Sequence, residues 1–198
     1  MVLGSTLSGC EEEADPTDYI DRVRSDRGAK DRMMRGETSP LPPEERTRFA
    51  GLRYYPPDPS FRVTATFHPA GEPRDITLST STGEEREMTM VGLITFARPG
   101  VDVRGEPLEL ELFRSAPADG GGWFLPFADG TNGETTYGAG RYLDIDGPDE
   151  ENRLTLDFNY AYNPYCAYNP GYSCPLVPTG NVLPVRIEAG ERMPNDGD

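Results

Sequence analysis

The segment Leu108–Phe113, LELELF, is the plainest strand of the chain and decides its fold class. Its three leucines alternate with two glutamates, so an extended backbone places the leucines on one face and the glutamates on the other. This alternation is typical of an antiparallel strand that buries one side against a core and leaves the other in water.

Seven further segments share this character, because each is short, rich in β-branched and aromatic residues, and bounded by Gly, Pro or Asp turns. They are FRVTATFHP (61–69), DITLSTST (75–82), EMTMVGLITFA (87–97), WFLPF (123–127), RYLDID (141–146), RLTLDFN (153–159) and LPVRIEA (183–189). Eight strands with no helix between them predict a mainly β domain, an antiparallel sandwich or barrel.

The region before the strands predicts one or two helices. Asp15 and Pro16 form a cap and first-turn pair, and a helix is expected from there to about Met34, with Gly36 ending it. The stretch SPLPPEERTRFAGL (39–52) predicts a second, short helix that starts at a proline, with Phe49 and Leu52 pointing inward. We expect a single domain over residues 15–192 and a disordered tail over 193–198.

The charge of the chain excludes several partners. It has 198 residues and a formal charge of −15, with 34 acidic residues against 19 basic ones. Nucleic-acid binders neutralise phosphates with basic stripes, and no such stripe is present, so we expect no nucleic-acid partner. Anionic lipid headgroups are disfavoured for the same reason. We expect no cofactor either.

The N-terminal segment MVLGSTLSGC, residues 1–10, ends in a tetrapeptide that resembles the lipobox of bacterial lipoproteins, in which the cysteine is lipidated. This predicts lipidation at Cys10, with residues 1–14 as a truncated signal and tether and the domain held at the cell envelope. The hydrophobic stretch is short and no Lys or Arg precedes it, which departs from that pattern. The alternative is a disordered tail on a cytoplasmic protein.

The C-terminal third carries a denser resemblance. The segments PFADGTNGETTYGAGRYLDID, DFNYAYNPYCAY and CPLVPTGNVLPVRIEAGER, within Pro126–Arg192, closely resemble an uncharacterised bacterial and archaeal family, domain of unknown function sixteen eighty-four. SPLPPEERTRFAGLRYYPPDPSFRV looks like the N-terminal portion of that family. The family tends to have an acid before the asparagine at 181, where this chain has Gly180. The resemblance implies domain boundaries but no reaction, substrate or cofactor.

Acidic side chains in this signature are candidate catalytic groups, since two carboxylates facing each other across a cleft can act as acid and base. Alternation in RLTLDFN puts Asp157 on the face opposite to the leucines, where a buried acid needs a partner, and we expect Arg141 to supply it. One hypothesis is a hydrolase-type enzyme using Asp157, a second carboxylate and Arg141; a purely structural Asp–Arg pair is the alternative that we favour. The carboxylates concerned are Asp129, Glu134, Asp144, Asp157 and Glu188, of which Glu188 has Arg141 or Arg186 as a prospective partner.

Other chemistries have weaker support. The single histidine, His68, ends a predicted strand and lacks the partners of a catalytic triad. The glycine-rich stretch PFADGTNGETTYGAG has neither phosphate-loop spacing nor a following helix, so it predicts tight turns.

Cys166 and Cys174 flank a Pro-Gly turn, which in an oxidising compartment predicts a disulfide worth roughly 2–3 kcal/mol. A metal site would need more Cys or His ligands than the chain supplies nearby, so we expect none.

The stretch Asp157–Cys174, DFNYAYNPYCAYNPGYSC, contains five of the ten tyrosines and three asparagines, but no Lys, Arg, Glu or His. Tyr and Asn together suit recognition of neutral polar ligands such as sugars or peptides, although the same residues also hold long irregular loops in place. We therefore expect a binding or accessory domain that recognises an unknown small or extended polar ligand through this loop. The candidate ligand-binding residues are Asn159, Tyr160, Tyr162, Asn163, Tyr165 and Tyr168.

Overall fold

The N-terminal helix forms where the sequence predicts it. The computed structural model describes residues 15–100, 106–115 and 121–194. Helix α1 (Pro16–Arg35) is capped by Asp15, whose side chain accepts the amide N–H of Thr17, and it ends at Gly36. Helix α2 (Pro43–Arg46) is the predicted short helix that begins at a proline. Cys10 and the last four residues of the tail lie outside the described residues.

The mainly β, antiparallel prediction is confirmed. Six strands form one curled half-barrel sheet, in the order β5-β4-β3-β2-β1-β6, and every neighbouring pair is antiparallel. The sequence predicts eight strands, but two of the predicted segments, FRVTATFHP and DITLSTST, belong to one long strand. In chain order the strands are β1 (Arg62–Ser79), β2 (Glu85–Phe96), β3 (Leu108–Ser115), β4 (Trp123–Phe127), β5 (Arg141–Ile145) and β6 (Arg153–Asp157).

A β-bulge in β2 gives this sheet two buried faces. Met90 pairs with Phe113 and Gly92 pairs with Leu112, so β2 contributes one residue more than β3 between the two pairs. Since adjacent residues of β3 point to opposite faces, the bulge reverses the alternation along β2. Gly92 is required here by close approach, because a Cβ at this position would lie 2.3 Å from the carbonyl oxygen of His68.

The two faces carry two separate apolar clusters. The main core lies inside the curl and includes Ile94, Leu110 and Leu112. The second cluster lies on the other side of the bulge and combines Met90 and Phe113 with residues of the Tyr/Asn-rich loop. Burial of this second face explains why the long irregular loop packs on the sheet, since it removes that apolar surface from water.

The predicted strand LPVRIEA is not a strand, and this expectation is wrong. Residues 183–189 bury every second side chain, as the pattern predicts, but the backbone bends at Pro184 and Val185 and joins no ladder of the sheet. Their backbone hydrogen bonds go to turn residues and buried side chains instead. The amide of Gly130 donates to the carbonyl of Val185 at 2.8 Å, and that of Leu183 donates to Ala128 at 2.8 Å.

No helix within the described ranges combines the length and the apolar character that crossing a lipid bilayer requires.

Candidate functional site

Arg141 pairs with Asp129 and not with Asp157, which corrects the sequence-based expectation. The guanidinium Nη2 lies 2.9 Å from Asp129 Oδ2, and both side chains are completely buried. Burial lowers the pKa of Arg141, and the neighbouring Asp129 opposes that shift. The pair is therefore structural. The sequence analysis favoured a structural Asp–Arg pair as well, but with Asp157 in place of Asp129.

The same pair takes the place of a neighbouring strand for the extended C-terminal segment. Arg141 donates to the carbonyl oxygens of Ile187, at 2.8 Å, and of Ala189, while Asp129 accepts the amide N–H of Ile187 at 3.1 Å. These bonds satisfy backbone groups that would otherwise be buried without partners. At this corner of the molecule, the Asp129–Arg141 ion pair thus supplies the hydrogen bonds that a neighbouring strand would otherwise make to the backbone.

Asp157 belongs to a different polar cluster, at the start of α1. Both of its carboxylate oxygens accept the hydroxyl of Tyr19, at 2.9 Å, and Arg62 approaches one of them at 3.8 Å. The side chain of Asn159 is buried and donates to the Tyr19 hydroxyl and to the carbonyl of Asp58, while its Oδ1 accepts the Asp58 amide. Asn159 is thus engaged by the protein on all sides.

The remaining candidate acids lie apart from Arg141. Glu134 and Glu188 are exposed and both pair with Arg186, at 2.7 and 3.1 Å. His68 is exposed, with Nε2 2.8 Å from the hydroxyl of Thr95. Within the described ranges, no cluster of three or more His, Cys, Asp or Glu side chains is arranged to hold a metal ion.

A cavity of about 550 Å³ lies between the Tyr/Asn-rich loop and the outer face of the sheet. We call it the loop cavity. Four tyrosine side chains share its lining with charged and hydroxyl groups from α1, the sheet and the loop. The residues that form its aromatic and polar walls are Tyr142, Tyr162, Tyr165, Tyr172, Lys30, Arg86, Asp144 and Ser173.

Lys30, the single lysine of the chain, anchors one end of the loop cavity. Its ammonium lies 2.6 Å from Glu191, a buried carboxylate, and 4.7 Å from the ring centroid of Tyr162. The hydroxyl of Tyr162 donates to Asp144 at 2.9 Å. Burial is the main cause that raises the pKa of the Tyr162 phenol, and the negative charge of Asp144 raises it further. The Tyr162 ring is therefore held between a cation and a carboxylate, so its orientation is fixed.

Two of the six predicted ligand-binding residues line the loop cavity, and the other four lie outside its lining. Tyr162 and Tyr165 line the loop cavity, and Tyr165 is 40% exposed. Tyr160 is also exposed, but its hydroxyl donates to Asp26 at 2.8 Å and it lies outside the cavity lining. Burial and the Asp26 contact raise the pKa of Tyr160 to about 12.

Asn163 and Tyr168 serve the scaffold beneath the cavity. The backbone N–H of Asn163 and the hydroxyl of Tyr168 both donate to the same carboxylate oxygen of Glu191, each at 2.8 Å. The Asn163 side chain donates in turn to Tyr168. Since Glu191 also pairs with Lys30, these residues connect the loop to helix α1.

Cys166 and Cys174 are adjacent free thiols in the structure. The amide N–H of Cys166 donates to the sulfur of Cys174 at 3.2 Å, and Cys174 lines the loop cavity. The predicted proximity is therefore present, and the disulfide itself stays a prediction.

The predicted site residues do not include several residues that line the loop cavity, among them Lys30, Arg86 and Tyr142. Only Lys30 carried a signal, because it is the one lysine among 19 basic residues. The others come from separate strands and turns, and the folded chain alone brings them together.

The fold and the loop cavity define a class: mainly β proteins with one curled antiparallel sheet, an N-terminal helix, and a cavity closed by a Tyr/Asn-rich loop. The chain belongs to the family described as "Protein of unknown function (DUF1684)", whose model matches residues 47–192. This match confirms the family resemblance found in the sequence.

The chain is also similar to a solved structure. The chain is 37% identical to an uncharacterised protein of Haloarcula marismortui, known from a solution NMR structure, with a TM-score of 0.68. The similarity covers 91% of this chain and 97% of the archaeal one. No curated protein matches the chain.

Proposed function

We propose that the protein is a binding or accessory domain that holds a small or extended polar ligand in the loop cavity. The observation that carries this proposal is the lining itself, four tyrosines together with Lys30, Arg86, Asp144 and Ser173 around about 550 Å³. A volume of this size matches that of ordinary small-molecule sites, which combine apolar walls with a few placed polar groups.

The tyrosine rings suit a ligand with both apolar faces and hydroxyl or amide groups. The exposed ring of Tyr165 offers a stacking surface, and its own orientation is set by an edge-to-face contact with Tyr172, with ring centroids 5.3 Å apart. Asp144 and Ser173 add an acceptor and a hydroxyl at the cavity wall. Sugars and short neutral peptides are the ligand classes that this combination favours.

The hydrolase alternative has less support than the binding proposal, although the candidate carboxylate Asp144 lines the loop cavity. Arg141 is buried against Asp129, and among the described residues neither Arg141, Asp157 nor Glu134 lines the loop cavity. A catalytic group must reach the substrate, so these three side chains do not favour an enzyme at this site.

We also propose that the domain is anchored to the cell envelope through Cys10, outside the cytoplasm. Support comes from the lipobox-like sequence that precedes this residue. Labelled palmitate fed to bacterial cells that express the chain should appear in the wild-type protein and be missing from the Cys10→Ala variant. Equal labelling of both proteins would exclude the anchor.

Ligand binding is tested by comparing two exposed tyrosines of the same loop. Saturation-transfer NMR with maltose, cellobiose, N-acetylglucosamine and triglycine should detect binding of at least one probe to the wild-type protein. Tyr165→Ala should weaken that binding about tenfold, since a buried ring–ligand contact contributes roughly 1–2 kcal/mol.

Tyr160→Ala is the matched control, because Tyr160 has a similar exposure but lies outside the cavity. It should leave the affinity unchanged. Binding of none of the four probes, or an equal loss in both variants, would contradict the proposal.

A further inference from the structure

A second cleft, of about 800 Å³, lies beside the loop that follows α2. We call it the arginine cleft. Residues 48–53 form one wall, and Ala167, Tyr168, Arg192 and Pro194 form the other. The proposed polar-ligand function makes no use of this cleft.

The charge of the arginine cleft is opposite to that of the protein. Three arginines, Arg48, Arg53 and Arg192, line it together with one acid, Glu45, although the whole chain carries −15. Within residues 15–100, 106–115 and 121–194, no carboxylate pairs with these three guanidiniums. In a protein with such an excess of acids, three arginines without a carboxylate partner make this concave surface locally positive.

Arg192 is the most strongly positioned of the three. Its backbone N–H donates to the carbonyl of Arg53 at 2.8 Å, which ties the two arginines together. Its guanidinium lies over the ring of Tyr55, 5.5 Å from the centroid, and its Nε is buried with no hydrogen-bond partner in the described part of the chain. The contact with Tyr55 and the backbone bond to Arg53 hold Arg192 in place at the cleft.

The rest of the lining is apolar. Leu41, Phe49, Leu52 and Ala167 contribute the hydrocarbon surface between the arginines. Two acids next to the lining are already engaged: Asp31 accepts the amide N–H of Leu52 at 3.0 Å, and Glu191 accepts the hydroxyl of Tyr168 and pairs with Lys30. The cleft therefore combines cationic groups with an apolar floor.

We propose that the arginine cleft binds a small organic anion, a carboxylate or phosphate carried on an apolar body. Guanidinium groups donate paired hydrogen bonds to the planar or tetrahedral oxygens of such anions. The apolar body lies against Phe49 and Leu52. This site is separate from the loop cavity, and the segment Pro164–Tyr168 stands between them, with Tyr165 lining one and Tyr168 the other.

The test uses three probes with the same ring system and different charge: 2-naphthoate, 2-naphthyl phosphate and neutral 2-naphthamide. Amide chemical shifts of the ¹⁵N-labelled full chain are followed during titration. Both anions should shift the resonances of Phe49, Leu52 and Arg192, and 2-naphthamide should bind at least about tenfold more weakly, the loss expected for one charged hydrogen bond.

The variant Arg48→Gln/Arg53→Gln should raise the dissociation constant for the anions by about tenfold or more. Its control is Arg74→Gln/Arg98→Gln, which removes the same charge from two exposed arginines outside the cleft. The control should stay within about twofold of the wild type, because distant exposed charges are screened by salt.

Three outcomes would overturn the proposal: no shift at these residues with either anion, equal affinity for the neutral amide, or equal losses in the two double variants. The last would mean that the anions respond only to net charge. None of these results bears on ligand binding in the loop cavity, since the probes are read at residues of the arginine cleft alone.

Discussion

Residues Asp157–Asn163 and Pro164–Pro175 follow each other in the chain and are both rich in Tyr and Asn, yet they have different structural roles. In the first segment the two asparagines are each 1% exposed and hydrogen-bonded to distant parts of the backbone. In the second, Tyr165 is 40% exposed and lines the loop cavity together with five other residues of the segment: Pro164, Tyr172, Ser173, Cys174 and Pro175.

The difference shows that similar composition does not imply a similar role. The asparagines fix the loop, since an amide satisfies donors and acceptors of irregular backbone that has no ladder. Tyr165 and Tyr172 of the second segment line the loop cavity, as does Tyr162 at the end of the first, whereas Tyr168 belongs to the scaffold. The Asp129–Arg141 pair extends the first role to the C-terminal segment, where it holds carbonyl groups in place of a strand.

The largest effect is expected from Arg141→Met, which removes a buried scaffold cation. Asp129 would be left as an unpaired buried charge and the Ile187 and Ala189 carbonyls would lose their donor, so the free energy of unfolding should fall by about 3–5 kcal/mol. Urea denaturation followed by circular dichroism measures this.

Arg186→Met is the control for that experiment. Arg186 is an exposed arginine of the same segment, paired with Glu134 and Glu188. Its replacement should leave the urea midpoint almost unchanged, because exposed ion pairs add little stability. If Arg141→Met unfolds at the wild-type midpoint, the buried pair is not part of the scaffold.

A smaller effect separates the two loop segments directly. Asn159→Ala should lower the free energy of unfolding by about 3 kcal/mol. The substitution removes the acceptor of the Asp58 amide and the donor to the Tyr19 hydroxyl, which itself binds Asp157. Tyr165→Ala, in the second segment, should cost about 1 kcal/mol or less, its main loss being the ring contact with Tyr172. Equal costs in thermal or urea unfolding would remove the distinction between scaffold and cavity wall.

The smallest effect concerns the two thiols. Burial raises the pKa of Cys174 to about 11, above its ordinary value of 9.0. The folded protein therefore favours the neutral thiol, and any stability from this shift is lost as pH rises from about 9 to about 11. At neutral pH, iodoacetamide should modify the half-buried Cys166 first, and Cys174 should react faster as pH approaches 11.

Peptide mapping by mass spectrometry measures both rates. If neither cysteine reacts until a reductant is added, the predicted disulfide is formed in the isolated protein. If both react at the same rate at neutral pH, the deeper burial of Cys174 and its raised pKa are contradicted.

Much of the fold was predictable because it depends on neighbouring residues. The cap at Asp15, the end of α1 at Gly36 and the alternation of LELELF are local patterns with local physical causes. The segment 183–189 shows the limit of this reasoning. Its alternation correctly predicted which side chains are buried, but whether an extended segment joins a sheet depends on a partner strand.

The partner of Arg141 was missed because it depends on strand pairing. Arg141 lies opposite Phe127 in the β4–β5 pair, and Asp129 is two residues beyond Phe127. Pairing WFLPF with RYLDID would have put Asp129 within reach of Arg141, whereas alternation within one strand pointed to Asp157. The loop cavity was missed for a related reason, since the bulge at Met90–Gly92 decides which face of β2 lies beneath the loop.

The sequence by itself determined the antiparallel β class, the boundaries of α1, the family and the unusual composition of the segment Asp157–Cys174, because periodicity, capping and composition act over a few residues. Only the tertiary structure decided which of the tyrosines line a cavity, which acid meets Arg141, and that Lys30 joins helix α1 to the loop through Glu191. Those contacts join residues far apart in the chain, and their energies exist only after the sheet has curled and the loop has packed on its second face.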